Sequence, residues 1–270
     1  MDRHNILLDV GGTFIKCGDG RSIPIDSDGS EEAISASLRE AVGESGPGDR
    51  VAVAIPGPFD YEEGLFLMKH KFAAVYGERF SDLAGIPDGA SVRFIHDVNC
   101  MLLGEMDCGA AKDFRNVALV TLGTGLGFSM ALDGTIMKAP SGSPAVSIYA
   151  TPYRGGILED YVSKRGILRG YQEISDEPAA TVKEIAQRGM AGEPAAREVF
   201  RRTASILSEA IRDILYGHGV ECLLFGGHIS KAFPLMQETL EKGLPDLARI
   251  SPVSDFDKAT FNGLAAFLNG

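Results

Sequence analysis

The residues best suited to chemistry cluster around glycines. Asp9-Val-Gly-Gly-Thr13 places a carboxylate at the end of an apolar run, beside two glycines and a hydroxyl. A carboxylate at the end of a buried strand is costly unless it has a role or a partner. The glycines let backbone N–H groups approach an anion, and Thr13 adds a donor. Asp9 could hold Mg²⁺ beside that anion, directly or through water. The plainer alternative is a β-hairpin turn whose glycines supply positive φ. Gly123-Thr124-Gly125-Leu126-Gly127 repeats the device. No Gly-Lys-Ser/Thr follows it, and its spacing is not that of a dinucleotide fingerprint. Alone it reads as a hairpin turn; two such turns could grip a polyphosphate.

His96-Asp97-Val98-Asn99 falls where a strand should give way to a helix. Asp97 is there a candidate general base for a substrate hydroxyl, and Asn99 could hydrogen-bond a neighbouring hydroxyl. The alternative for Asp97 is a helix N-cap. Gly226-Gly227 could let a flat group such as adenine pack on bare backbone, or could be a strand-to-helix turn. His4, His70, His218 and His228 lack metal-ligand spacing. Lys69-His70-Lys71 reads as a solvated face, or as charges placed to meet an acidic substrate.

The elements that must position these groups follow from the apolar pattern. Strands are predicted at 5–10, 13–17, 50–55, 91–95, 117–121, 128–132 and 221–225. Helices are predicted at 31–42, from 97 to about 111, at 157–172, 181–190 and 193–215, from about Lys231, and at 262–268. Residues 18–30 hold turns and a short strand, and 138–156, rich in Pro, Ser and Gly, form a loop over a site. The strand–Gly-turn–strand unit at 5–17 recurs at 117–132, a candidate internal duplication with a boundary near 111–116.

Composition narrows the class. The chain of 270 residues is 44% apolar and 23% charged, an ordinary globular balance. Its net charge of −11 argues against nucleic-acid partners. Phosphorylated small molecules stay open, because backbone N–H groups can build a phosphate pocket. The 33 glycines are an excess over the usual share of about 7%. No signal segment or bilayer-spanning run is apparent, so a cytoplasmic protein with no membrane partner is expected. Cys17, Cys100, Cys108 and Cys222 are scattered and read as reduced thiols.

Taken in order, these motifs resemble those of the ROK family (repressors, unknown reading frames and sugar kinases), part of the ATPase superfamily that includes actin and hexokinase. Asp9 to Lys16 resembles the family's first phosphate motif, and Gly123 to Gly127 its second. Ile55-Pro-Gly57-Pro-Phe-Asp60 is similar to the Pro-Gly-Pro loop that lines the sugar pocket. His96-Asp97-Val-Asn99, with Leu103-Gly-Glu105 behind it, resembles the Asn-Asp-Ala-Asn segment whose Asp is the catalytic base. Leu158-Glu159 resembles the Leu-Glu segment whose Glu binds a sugar hydroxyl, and Phe225-Gly226-Gly227 the adenosine motif.

The resemblance implies an α/β fold of two actin-like (ribonuclease H-like) domains around a hinged cleft. These are expected at 1–112 and 113–259, with the C-terminal helix 260–270 returning to the first. It implies Mg·ATP-dependent phosphorylation of a hexose or hexose derivative, with Asp97 as base. Asp9, Gly11, Gly12, Thr13, Lys16, Gly123, Thr124, Gly125, Gly226 and Gly227 would hold the nucleotide, and Asp9 the Mg²⁺. Gly57, Asn99 and Glu159 would hold the sugar, and a homodimer is expected. Residues 139–156 contain no Glu, His or Cys, so the family's Glu-x-Gly-His sugar contacts are missing and its zinc is not expected. Lys71-Phe72 stands where an Asn-Leu pair is common. A sugar-binding or regulatory protein without turnover is therefore the alternative reading. With the first strand opening at Asn5, it would carry no DNA-binding domain. An ATPase acting on something other than sugar is the third.

Overall fold

The computed structural model describes residues 4–256 and 258–270. The chain divides into two compact units. The first takes in residues up to Asp107, the segment Lys138–Ala145 and the C-terminal residues to Gly270; the second takes in Cys108–Met137 and Val146–Phe256.

The first unit is built on β1 (Asn5–Val10), β2 (Phe14–Cys17), β3 (Ser22–Pro24), β4 (Arg50–Ile55) and β7 (Ser91–His96), in the order β3-β2-β1-β4-β7. A small hairpin, β5 (Phe59–Asp60) and β6 (Leu65–Phe66), follows β4. The β1–β2 and β2–β3 pairs are antiparallel, whereas β1–β4 and β4–β7 are parallel. Alternation along β4 shows how the sheet is covered. Val51, Val53 and Ile55 join one apolar cluster with Ile34 and Leu38 of α1 (Glu31–Val42) and Phe80 and Leu83 of α2 (Phe80–Ala84). Ala52 and Ala54 face the opposite cluster, with Cys100 of α3 (Asp97–Cys108) and Leu264 and Leu268 of the C-terminal helix, Ala259–Asn269. Those alanines let the helices lie close. At Gly263 the approach is closer still, since a Cβ would run into the backbone carbonyl of Cys100.

The second unit repeats the plan with β8 (Val117–Leu122), β9 (Leu126–Leu132), β10 (Thr135–Ile136), β13 (Cys222–Gly226) and β14 (Arg249–Pro252), in the order β10-β9-β8-β13-β14. Here too the hairpin strands are antiparallel, and β8–β13 and β13–β14 are parallel. The two sheets have the same strand order, the structural counterpart of the repeated strand–turn–strand pattern. A two-stranded piece, β11 (Pro152–Tyr153) and β12 (Gly156–Ile157), precedes α4 (Glu159–Val162), α5 (Lys164–Gln172), α6 (Val182–Met190), α7 (Pro194–Gly217) and α8 (Gln237–Gly243). The long α7 opens on Pro194 and buries Val199, Phe200, Leu207, Ile211 and Leu215 at helical spacing.

Three sequence expectations are corrected. The helix expected over 157–172 breaks at Ser163, whose extended backbone separates α4 from α5. The helix expected from about Lys231 is a 3₁₀ stretch, His228–Leu235, and α8 starts only after Pro234 has interrupted the α-pattern. Residues 138–145, expected with the second domain, pack in the first unit.

Candidate active site

Five of the flagged motifs lie at the carboxyl end of a parallel strand, where open α/β sheets carry their ligand sites; Leu158-Glu159 instead follows β12, which pairs antiparallel with β11. In the first unit β1 runs into Gly11, β4 into Pro56-Gly57 and β7 into Asp97. In the second, β8 runs into Gly123 and β13 ends at Gly226.

The first turn closes through Gly11 N–H donating to the Phe14 carbonyl at 2.9 Å. The Gly12 carbonyl accepts from Ser27 N–H at 3.2 Å, and the Thr13 carbonyl from Ile25 N–H at 2.9 Å. Among the described residues the amides of Gly12 and Thr13 have no backbone acceptor. They are the donors an anion would meet. Asp9 pairs across the ladder with Lys16. Burial, and then the neighbouring charge of Asp97, push the Asp9 carboxyl up to about 6, against the pull of Lys16.

Asp97 is the first residue of α3, and its side chain keeps 39% of its surface. Its Oδ1 lies 2.9 Å from Nδ1 of His96 and accepts from Val98 N–H at 2.7 Å. Burial pushes the Asp97 carboxyl up. The His96 charge and hydrogen bond, the Val98 amide and the Lys71 ammonium pull harder, and it ends below the usual carboxylate range. Two neighbouring carboxylates are thus driven apart. Asp97 stays ionised at neutral pH, while Asp9 titrates near it.

The other expected substrate contacts of the first unit are Gly57 and Asn99. A Cβ at Gly57 would make ordinary van der Waals contact with the Tyr61 hydroxyl and the His96 ring. Tyr61 donates its hydroxyl to the Ile55 carbonyl at 3.0 Å and packs against Gly142, whose φ is +86°. Asn99 is fully buried, and its Nδ2 donates to the Gly142 carbonyl at 3.3 Å. Part of its amide is thus spent on holding the 138–145 strap.

In the second unit Gly123 N–H donates to the Gly125 carbonyl at 3.0 Å, and Lys164 N–H donates to the Gly123 carbonyl at 3.0 Å. Leu126 N–H donates to Glu159 Oε2 at 2.9 Å, and Arg165 lies 3.1 Å from the other carboxylate oxygen. Glu159 is thereby bound to the Gly123–Gly125 turn and to Arg165 within its own unit. Gly226 and Gly227 follow β13, and the Ser230 hydroxyl donates to the Gly226 carbonyl at 2.5 Å. At Gly227, where φ is +79°, a Cβ would run into the Leu122 carbonyl. Close backbone packing alone therefore demands this glycine.

The sequence by itself gives His96 no role and allows Lys71 either a solvated position or a contact with an acidic substrate. The structure sets His96 against Asp97, and Lys71 beside Gly12. Adjacency in the chain could have found His96. Nothing local could have placed Lys71.

The model of the ROK family matches residues 26–261. The chain belongs to the ROK family. The match begins beyond the Asp9–Lys16 motif, which is therefore carried by its own geometry. Among curated relatives, an N-acetyl-D-glucosamine kinase of Vibrio atlanticus is 25% identical over 88% of each chain. A glucokinase of Halalkalibacterium halodurans is 24% identical over all of this chain and 94% of its own. Among solved structures, a ROK family glucokinase from Streptomyces griseus, in complex with glucose and AMPPNP, superposes with a TM-score of 0.77. It is 21% identical, covering 98% of this chain and 99% of its own. The fold of this ROK protein is the actin-like α/β fold, built on two five-stranded sheets. Among the described residues no helix is long and apolar enough to cross a membrane.

Proposed function

We propose that this ROK protein transfers the terminal phosphoryl group of ATP to a hydroxyl of a hexose or hexose derivative. One observation carries the reading. Asp97 stands at the end of β7 with its Oδ1 2.9 Å from His96 Nδ1, in the same unit as a second carboxylate, Asp9, and a glycine turn whose Gly12 and Thr13 amides have no backbone acceptor among the described residues. Asp97 takes the proton of the attacking hydroxyl as its oxygen forms the new bond to phosphorus. The bridging P–O bond to ADP breaks in the same displacement. The amides of Gly12 and Thr13, with Gly11 closing the turn and Lys16 beside Asp9, receive phosphate oxygens. Gly123, Thr124, Gly125, Gly226 and Gly227 are proposed as further nucleotide contacts.

Mg²⁺ fits this chemistry as an ion brought in with the nucleotide. Among the described residues no three His, Cys, Asp or Glu side chains group to hold a metal by themselves. One or two carboxylates plus phosphates are the usual Mg²⁺ ligands. Asp9 is suited to such an ion, because its ionised form is disfavoured by burial and by Asp97, and a divalent cation relieves both. When bound, the ion would spread the charge of the phosphates.

Gly57, Asn99 and Glu159 are proposed sugar contacts. Zinc is not part of the proposal. A homodimer in the cytoplasm is the proposed setting, supported by family resemblance. The missing Glu and His of the 139–156 stretch favour a second reading, a sugar sensor without turnover. The presence of Asp97 at the position of the family's base counts against it, because binding alone needs no base. The test is ADP release from Mg·ATP against a panel of neutral, amino, acetylamino and acidic hexoses. Turnover with one class supports the kinase and names its substrate. Sugar binding without turnover supports the sensor, and hydrolysis indifferent to sugar supports a different ATPase.

A further inference from the structure

We propose that Lys71 is a further catalytic residue, whose ammonium contacts the phosphoryl group during transfer. The proposal rests on the kinase reading above and concerns the same unit.

The lysine lies along the first turn. A Cβ built on Gly12 would meet Lys71 Nζ at 3.6 Å and its Cδ at 3.7 Å. Its charge also reaches Asp97, where it helps to hold the carboxylate ionised. One cation thus adjoins the turn that receives the phosphates and the base that receives the proton. The group passing between them is anionic, and its charge spreads over its equatorial oxygens as the bonds change. Asp9 and Asp97 would repel it. Lys71 supplies a fixed positive charge where that repulsion has to be offset.

Lys71 is held there by its neighbours. Phe72 N–H donates to the Ser27 carbonyl at 2.6 Å, and Ser27 N–H donates to the Gly12 carbonyl at 3.2 Å. Two hydrogen bonds therefore tie the segment to the turn. Phe72 adopts left-handed backbone with φ at 52°, uncommon for an aromatic residue. Its ring is fully buried, with its centroid 5.4 Å from that of Phe66. The aromatic core holds this backbone, and this backbone aims Lys71 at Gly12. Among the described residues Lys71 forms no ion pair, so no carboxylate neutralises it at contact distance. Lys69 differs: it is exposed and lies over the Tyr76 ring at 5.2 Å. The nearest groups to Gly57, proposed as a sugar contact, are the Tyr61 hydroxyl, the His96 ring and the Phe59 amide, whereas Lys71 is among the nearest to Gly12. This favours the phosphoryl group over the acceptor as its target.

The experiment compares wild type, Lys71→Ala, Lys71→Arg and Lys69→Ala with the sugar that gives turnover. Lys71→Ala is expected to lower kcat on the order of 100-fold, with the sugar KM little changed. It should weaken binding of ADP–aluminium fluoride in the presence of sugar far more than binding of ADP. The acidic limb of the pH profile should move to higher pH as Asp97 loses a cation. Lys71→Arg should recover part of kcat, and Lys69→Ala should match wild type. A raised sugar KM with kcat intact would make Lys71 an acceptor contact and overturn the proposal. Unchanged kinetics in Lys71→Ala would overturn it too, while leaving the kinase reading in place. Wild type without turnover on any sugar would instead overturn the kinase reading, and this role with it.

Discussion

The imidazole Nδ1 of His96 lies 2.9 Å from Oδ1 of Asp97, the residue that follows it. A proton on Nδ1 makes this a hydrogen bond to the carboxylate. Burial alone would push Asp97 up, and the His96 interactions are the largest of those that pull it down. Replacing His96 by Leu should therefore move the acidic limb of the kcat/KM profile to higher pH. His96→Asn keeps a donor and should move it less. An unmoved limb in His96→Leu would mean that His96 does not set the state of the base.

Asp9 carries a cost in the protein without ligands. Its carboxyl is pushed up to about 6 from an ordinary value of 3.8. Between those values the folded state holds a proton that the unfolded state has released, so this effect lowers stability as pH rises through the window. Above about pH 6 the full cost is present, on the order of 3 kcal/mol. Asp9→Asn removes the charge. It should raise Tm at neutral pH, have little effect near pH 4, and abolish sugar-dependent turnover. Calorimetry at the two pH values checks the first two outcomes. A lower Tm at neutral pH would contradict the assignment.

Two glycines of the second unit should separate folding from binding. A Cβ at Gly123 would have open space around it, whereas one at Gly227 would strike the Leu122 carbonyl at a positive φ. Gly123→Ala should melt like wild type and raise KM for ATP several-fold. Gly227→Ala should lose several degrees of Tm, corresponding to about 1–3 kcal/mol. Thermal melts and ATP titrations decide it. A Gly123→Ala variant with normal ATP kinetics would remove that turn from the nucleotide site.

The legible part of this chain was the part written locally. Asn5–Val10 and Phe14–Cys17 announce their hairpin by apolar runs broken at two glycines. Asp97 stands at a strand–helix junction, visible as a change of period. The repeated strand–turn–strand pattern at 117–132 corresponds to a second sheet with the same strand order. What escaped reading depends on distant partners. The 138–145 strap joins the first unit because Asn99 and Tyr61 grip Gly142. Ser163 splits a helix that periodicity joins, since its extended backbone breaks the run. Lys71 reaches Gly12 only because a buried Phe72 accepts left-handed backbone, and no pattern of residue types encodes that.

The most direct test is single-turnover transfer of labelled phosphoryl from Mg·ATP to the sugar, in wild type and Asp97→Asn. The asparagine keeps the size of the side chain and an oxygen for Val98 N–H, and loses the base together with its charge. It should bind ATP and sugar with wild-type Kd and transfer on the order of 100- to 10,000-fold more slowly. Transfer at the wild-type rate would contradict Asp97 as the base, and with it the reading of this site.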